Sequence, residues 1–286
     1  MSYRKSKISC PVCQANQIIN IPDYIFQQKQ LGIINIQVRP GTVCQHEFIA
    51  YIDQKGKARG YETVDFQIQF TARTAEEQAA SDQMVLEDLL EALGDFATLR
   101  LFHAFLFNYK IFILVAPADN PLFVDKLNDL FSRLFPASLQ PTTLAEKLRW
   151  SDFATLDIKE LPCLVLNPNG LIVNSTCGEQ KKFDFESELV KNALKITTSS
   201  SQFLYIQQEI DNLKKKAEDI IALLEKTEMI YEDELKDELS KQFNTKLTDY
   251  LMNLYIQFIK QHFPDMEPQL NKIHDRRLDN LRDGIW

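Results

Sequence analysis

Residues 10–13 read Cys10-Pro11-Val12-Cys13, and residues 40–46 read Pro40-Gly41-Thr42-Val43-Cys44-Gln45-His46. Two thiolates two residues apart grip one ion, because the tight turn between them points both sulfurs the same way. Cys44 and His46 supply a sulfur and an imidazole from a second turn. Three sulfurs and one ring nitrogen make a four-ligand set suited to tetrahedral zinc, the one cofactor expected here. The second pair has a gap of one residue instead of the usual two, so the backbone must turn between Cys44 and His46. A closed set of four leaves no open position for water, and the site reads as structural rather than catalytic.

Outward from these turns, the segment 1–72 is β-rich. Ile33-Ile34-Asn35-Ile36-Gln37-Val38 is a strand that ends at Pro40-Gly41. A second runs over 47–52 and meets a turn at Asp53-Gln54-Lys55-Gly56. A third is predicted over 61–70, where Val64, Phe66, Ile68 and Phe70 fall on one side with period two. Cys10-Pro11-Val12-Cys13, the run from Gly41 to Phe48, Asp53 and Arg59-Gly60-Tyr61 together resemble the zinc-ribbon class. More narrowly, they are similar to N-terminal modules of uncharacterised archaeal proteins. The resemblance covers about the first quarter of the chain; it implies a small zinc-held β module and assigns no activity.

The segment 76–196 mixes helix and strand. Thr74 caps a helix from Ala75 with Glu76 and Glu77 in its first turn, Met84, Leu86, Leu89, Leu90 and Leu93 on its apolar face, and Gly94 at its end. A central strand is predicted over 109–115. Asn120-Pro121 opens a helix that carries Leu122, Val124, Leu127, Leu130, Phe131 and Leu134 and stops at Pro136. Cys163-Leu164-Val165-Leu166 and Leu171-Ile172-Val173 flank Asn167-Pro168-Asn169-Gly170 as a hairpin. A helix follows over 184–195, and Thr197 to Ser201 is a linker.

Beyond the linker, the segment 200–286 reads as a helical arm. Phe203, Ile206, Ile210, Leu213, Ala217, Ile220 and Leu224 step by three and four in a coiled-coil-like seam. A second continuous helix is predicted through Leu235, Leu239, Phe243, Leu247, Leu251, Leu254 and Phe258, folding back as a hairpin after a turn near Glu232. A third runs over 267–281. The hairpin is expected to leave Tyr250, Tyr255, Phe258 and Ile259 partly uncovered, and to dock either on the α/β segment or, through Tyr255 and Ile259, on a protein partner or a second copy. The fold class is therefore α+β in three parts: a zinc-stabilised β module over 1–72, an α/β domain over 76–196 and a helical hairpin or bundle over 200–286.

The chain has 286 residues, 45% hydrophobic and 25% charged, with a formal net charge of -8. That charge disfavours indiscriminate binding to nucleic acid or anionic lipid. The segment 1–72 nevertheless holds eight Lys/Arg against five Asp/Glu. Lys55, Lys57 and Arg59, near Tyr51 and Tyr61, form the candidate nucleic-acid surface, since aromatic and basic residues together stack and neutralise. No apolar run reaches membrane-span length, the longest being Ile111 to Ala116. With no signal-like stretch and five cysteines, a cytoplasmic, reduced environment is expected.

No catalytic constellation emerges. His103, in an apolar run, reads as a satisfied core residue; His262 and His274 fall near helix ends; Cys163 and Cys177 stand alone. With eight glycines and no glycine-rich loop, no nucleotide cradle exists. The leading expectation is a zinc-binding interaction or regulatory protein without activity of its own. The alternative is a nucleic-acid-binding zinc ribbon. The middle helix–strand order also resembles α/β dimerisation modules in regulators of small GTPases, at the level of fold alone.

Overall fold

Inward apolar and outward polar side chains alternate through the N-terminal part of the chain, and they build two small antiparallel sheets. The computed structural model describes residues 3–23, 26, 33–63, 83–116, 119–153, 162–170, 172–175 and 183–274. β1 (Tyr3–Ser9) and β2 (Asn16–Pro22) pair across the Cys10–Cys13 turn, with Ser9 opposite Asn16 and Tyr3 opposite Pro22. β3 (Ile33–Val38), β4 (Phe48–Asp53) and β5 (Ala58–Thr63) form a three-stranded sheet in that order. Ile8, Ile21, Phe26, Ile34, Ile36, Val38, Phe48, Ala50 and Ile52 make one core, and Cys10 belongs to it. So small a core is marginal without a staple.

β1 and β2 were not predicted as strands. β3 matches its expected span, and β4 begins one residue late. The third strand starts earlier than expected, at Ala58. Val64, Phe66, Ile68 and Phe70 lie outside the described residues, and so does the predicted helix start at Thr74 and Ala75. That helix does not run unbroken to Gly94, since residues 83–85 are not helical and Met84 precedes the helix that begins at Leu86.

The middle of the chain has an α/β order. α1 (Leu86–Leu93) ends at Gly94, whose φ of +78° suits glycine, and α2 (Asp95–Leu106) begins directly after it. β6 (Lys110–Val115), α3 (Phe123–Leu134), β7 (Ala145–Arg149), β8 (Cys163–Leu166), β9 (Ile172–Ser175) and α4 (Asp184–Ala193) follow. The sheet order is β7-β6-β8-β9. β6 runs parallel to both β7 and β8, while β9 returns antiparallel as the predicted hairpin. Ile111, Phe112, Ile113 and Leu114 are all buried, as a central strand requires. On α3, Val124, Leu127, Leu130, Phe131 and Leu134 are buried, but Leu122 precedes the helix and is 55% exposed.

The chain divides into two compact units: Met1–Arg133 with Pro141–Ser199, and Leu134–Gln140 with Ser200–Trp286. In the second, α5 (Ser199–Glu225) begins inside the expected linker. Ile206, Ile210, Leu213, Ala217, Ile220 and Leu224 are buried along it with the predicted three–four spacing. The predicted second helix is two helices, α6 (Glu232–Gln242) and α7 (Asp249–His262). Two residues make the break. Asn244 sits at a left-handed φ of +49°, and asparagine tolerates that region at a helix end. The Thr248 hydroxyl caps α7 by accepting from Leu251 N at 3.2 Å, which starts a new helix there. Lys216 of α5 lies over the Phe243 ring, and Lys236 bridges to Asp249, so α6 folds back along α5 and α7 turns again. The expected third helix is only a short turn, Glu267–Leu270. After it Ile273–His274 pairs in parallel with Ile230–Tyr231, and residues beyond 274 are outside the described set. Among the described residues no helix is long and apolar enough to cross a membrane.

Tyr255 and Ile259 are not uncovered. They are 3% and 0% exposed, because the break after α6 redirects α7 and turns that face inward. Burial pushes the Tyr255 hydroxyl up to about 12. Tyr255→Asp, which would probe a surface if the ring were exposed, is instead expected to place a charge in the interior. A loss of about 3–5 kcal/mol is the scale for an unpaired buried charge. Chemical denaturation monitored by α-helical circular dichroism measures it, and a change under about 1 kcal/mol would contradict the burial.

Candidate metal centre

Cys10 follows β1, and the chain turns at once. Gln14 N donates to Cys10 O at 3.0 Å, Cys10 N donates to Ala15 O at 2.7 Å, and Gln14 takes a left-handed φ of +61°. The second turn follows β3. Thr42 N donates to Arg39 O and Gly41 N to Cys44 O at 2.7 Å, with Gly41 at φ +88°. The two turns share a detail. Val12 N donates to Cys10 Sγ at 3.4 Å, and His46 N donates to Cys44 Sγ at 3.4 Å. Each cysteine thus accepts from the backbone N–H two residues on. In the second turn that residue is itself the ligand, which is how a one-residue gap converges.

The ligand atoms of Cys10, Cys13, Cys44 and His46 all lie within 4.8 Å of one another. Among the described residues this group can hold a metal ion. Bonds of about 2.3 Å to sulfur and about 2.0–2.1 Å to nitrogen give a tetrahedron with S···N edges of about 3.6 Å and S···S edges of about 3.8 Å. Cys44 Sγ and His46 Nδ1 are already 3.5 Å apart. The longest separation needs to close by only about 1 Å.

Three thiols this close cannot all ionise alone. Burial raises the Cys10 thiol, but the N–H groups of Cys13 and Val12 and the thiols of Cys44 and Cys13 outweigh it and leave Cys10 below its ordinary value. Cys44 is pushed up to about 11, by burial first and then by the Cys10 and Cys13 thiols, against the N–H of His46. A divalent cation removes that conflict, since thiolate ligands release their protons to it.

Lys55, Lys57 and Arg59 lie at the β4–β5 turn, where Asp53 gathers them. Asp53 Oδ2 takes Arg59 Nη2 at 2.6 Å, and its Oδ1 accepts from Lys55 N and Lys57 N. The Arg59 charge is therefore answered locally. Tyr51 donates its hydroxyl to Glu62. The Lys57 N–H, then the Arg59 side chain and the Lys55 N–H, hold the Asp53 carboxyl below its ordinary 3.8, against a desolvation that raises it. A depressed folded pKa stabilises above the unfolded value and is lost as pH falls through the folded one. The Lys55 and Lys57 amide resonances are accordingly expected to hold steady down to about pH 4 and to move below it. A midpoint above that value would contradict the contacts.

His103 is in the core, as expected. Its Nδ1 lies 2.6 Å from Glu186 Oε1, with both side chains 1% exposed and Phe107, Tyr109 and Phe183 around the ring. The Glu186 partner was not foreseen, because it comes from α4, 83 residues away. Cys163 is buried in β8, and Cys177 lies outside the described residues. Comparison of the chain with protein-family models and with curated proteins returns no match.

Proposed function

We propose that this chain is a zinc-binding cytoplasmic protein of an interaction or regulatory kind, whose N-terminal module is a zinc ribbon. The convergence of Cys10, Cys13, Cys44 and His46 within 4.8 Å carries the reading. Sulfur-rich four-ligand sets favour zinc over hard cations, and a filled tetrahedron organises backbone instead of activating water. The interaction half draws support from the module's surface. Tyr3, Val12 and Ile18 are large apolar side chains and all three are well exposed. Such a display within so short a stretch suits a contact surface. Native mass spectrometry of the intact chain tests the proposal. One zinc per chain, with a discrete higher-order or partner-bound species lost on chelation, is the expected spectrum. A metal-free chain would sink it.

A nucleic-acid-binding ribbon is the second reading, favoured by one observation. The outward residues of β1 and β2 are Tyr3, Lys5, Lys7, Asn16, Ile18 and Asn20, with no acid among them. If this reading holds, binding to a single-stranded oligonucleotide should fall steeply with salt and be abolished by Lys5→Glu with Lys7→Glu. Lys55→Glu with Arg59→Glu should matter less, because Asp53 already answers Arg59.

A further inference from the structure

The loop that carries Cys44 and His46 is bracketed by two charged residues. Arg39 follows β3 and opens it; Glu47 precedes β4 and closes it. Both reach the same place, the elbow where α1 ends at Gly94 and α2 begins. The Arg39 guanidinium donates to Glu91 O at 2.9 Å and Ala92 O at 3.1 Å, last-turn carbonyls of α1. It also donates to Asn169 O, in the β8–β9 turn, at 3.3 Å. Glu47, which is buried, accepts from the Phe96 N–H in the first turn of α2 and from Gln37 Nε2. A cation thus sits on the carbonyl end of one helix and a carboxylate on the N–H end of the next, the arrangement both helix dipoles favour. Gly94 leaves the room: an added Cβ would stand 3.3 Å from Arg39 Nε and 3.5 Å from Gln37 Nε2.

We propose that metal occupancy of the Cys10, Cys13, Cys44 and His46 site controls the order of the α1–α2 elbow through this clamp; the proposal rests on the metal reading of that site. The ion ties the Arg39–Glu47 loop to the Cys10–Cys13 turn and fixes the spacing of the two charged ends. The loop's own backbone bonds, Gly41 to Cys44 and Thr42 to Arg39, close it locally but do not reach that turn. Without the ion, Arg39 and Glu47 no longer hold the two helix ends at the same time. The elbow then opens onto Leu89, Leu93, Leu101 and Phe105, all buried in the α/β part. Metal gain or loss at the N-terminal module is thereby transmitted from Arg39 to Glu91, 52 residues along the chain. A metal-responsive regulator works in this way.

Hydrogen exchange read by mass spectrometry tests the clamp on the full chain. Zinc content is measured first, then exchange is compared for the zinc-loaded and chelator-stripped protein. Stripping is expected to speed exchange over 89–100 by about tenfold or more, the scale for losing charged caps, while α5 amides stay unchanged as an internal control. Arg39→Ala in zinc-loaded protein should speed the same amides. By linkage it should also weaken zinc binding, by up to the factor by which stripping loosens the elbow. Equal elbow protection with and without zinc, in a chain that binds one equivalent, would overturn the proposal. A chain that takes up no zinc overturns the metal reading too, and the zinc content alone tells these two failures apart. If Arg39→Ala fails to fold, the stripped wild-type comparison still decides.

Discussion

Cys10→Ser is expected to abolish stoichiometric zinc binding and to dissolve the core of the β module. Cys10 is both a ligand and a core side chain, 2% exposed and in the cluster with Ile8, Ile36 and Phe48. Serine offers a harder, weaker donor and leaves three ligands for a four-coordinate ion. Outer-sphere partners of a metal site are each worth about 10–100-fold in affinity, so losing a ligand should cost more than about 100-fold. The module's folding is coupled to that binding, as in other small metal domains. Amide resonances of β1 to β5 should lose their dispersion at zinc concentrations that saturate the native chain, while α5 to α7 resonances persist. Retained dispersion in β3 and β4 would mean that the apolar core suffices without the ion.

Among the described glycines, Gly170→Ala is expected to be the most damaging substitution. Gly170 ends the turn after β8 at φ +77°, and a Cβ there would stand 1.9 Å from Leu93 O and 2.6 Å from Leu93 C. The obstacle is backbone, the last carbonyl of α1, and it cannot rotate away. Left-handed strain and forced displacement of α1 add to about 3–5 kcal/mol. In a unit of this size that lowers the melting temperature by about 6–20 °C. Gly56→Ala is the control. Its φ is similar at +81°, but its Cβ would meet side chains and no backbone, Arg4 Cδ at 3.0 Å and Ser6 Oγ at 3.2 Å. It should cost less, about 1–2 kcal/mol, from φ and from the shift those side chains must make. Equal melting temperatures for the two variants would mean that the Leu93 contact does not constrain the fold.

What the sequence revealed depended on whether the signal was local. The four ligands were legible because residue type and spacing are themselves the chemistry. β3 was legible because its apolar residues repeat at strand period, and β6 and the β8–β9 hairpin because short unbroken apolar runs lie beside turn residues. β1 was not, because Tyr3, Lys5 and Lys7 face outward and only Ser6 and Ile8 are buried, so it reads as a basic tail. β7 hid for a similar reason: Ala145 is its only buried residue. The single long helix predicted through Leu235 and Phe258 failed because Phe243 and Leu247 keep the four-residue step across the break. Asn244 and Thr248 carried the opposing signal, and the apolar stripe outweighed it. The faces assigned to Tyr255 and Ile259 went wrong with it. The Arg39 and Glu47 contacts and the His103–Glu186 pair join residues far apart in the chain, and no local pattern encodes them.

Cys10, Cys13, Cys44 and His46 are proposed to hold one zinc ion together. X-ray absorption at the zinc edge of the purified chain tests it most directly. The expected spectrum shows one zinc per chain with three sulfur neighbours at about 2.3 Å and one imidazole nitrogen at about 2.0–2.1 Å. A first shell of oxygen and nitrogen alone, or a chain that carries no zinc after exposure to it, would contradict it.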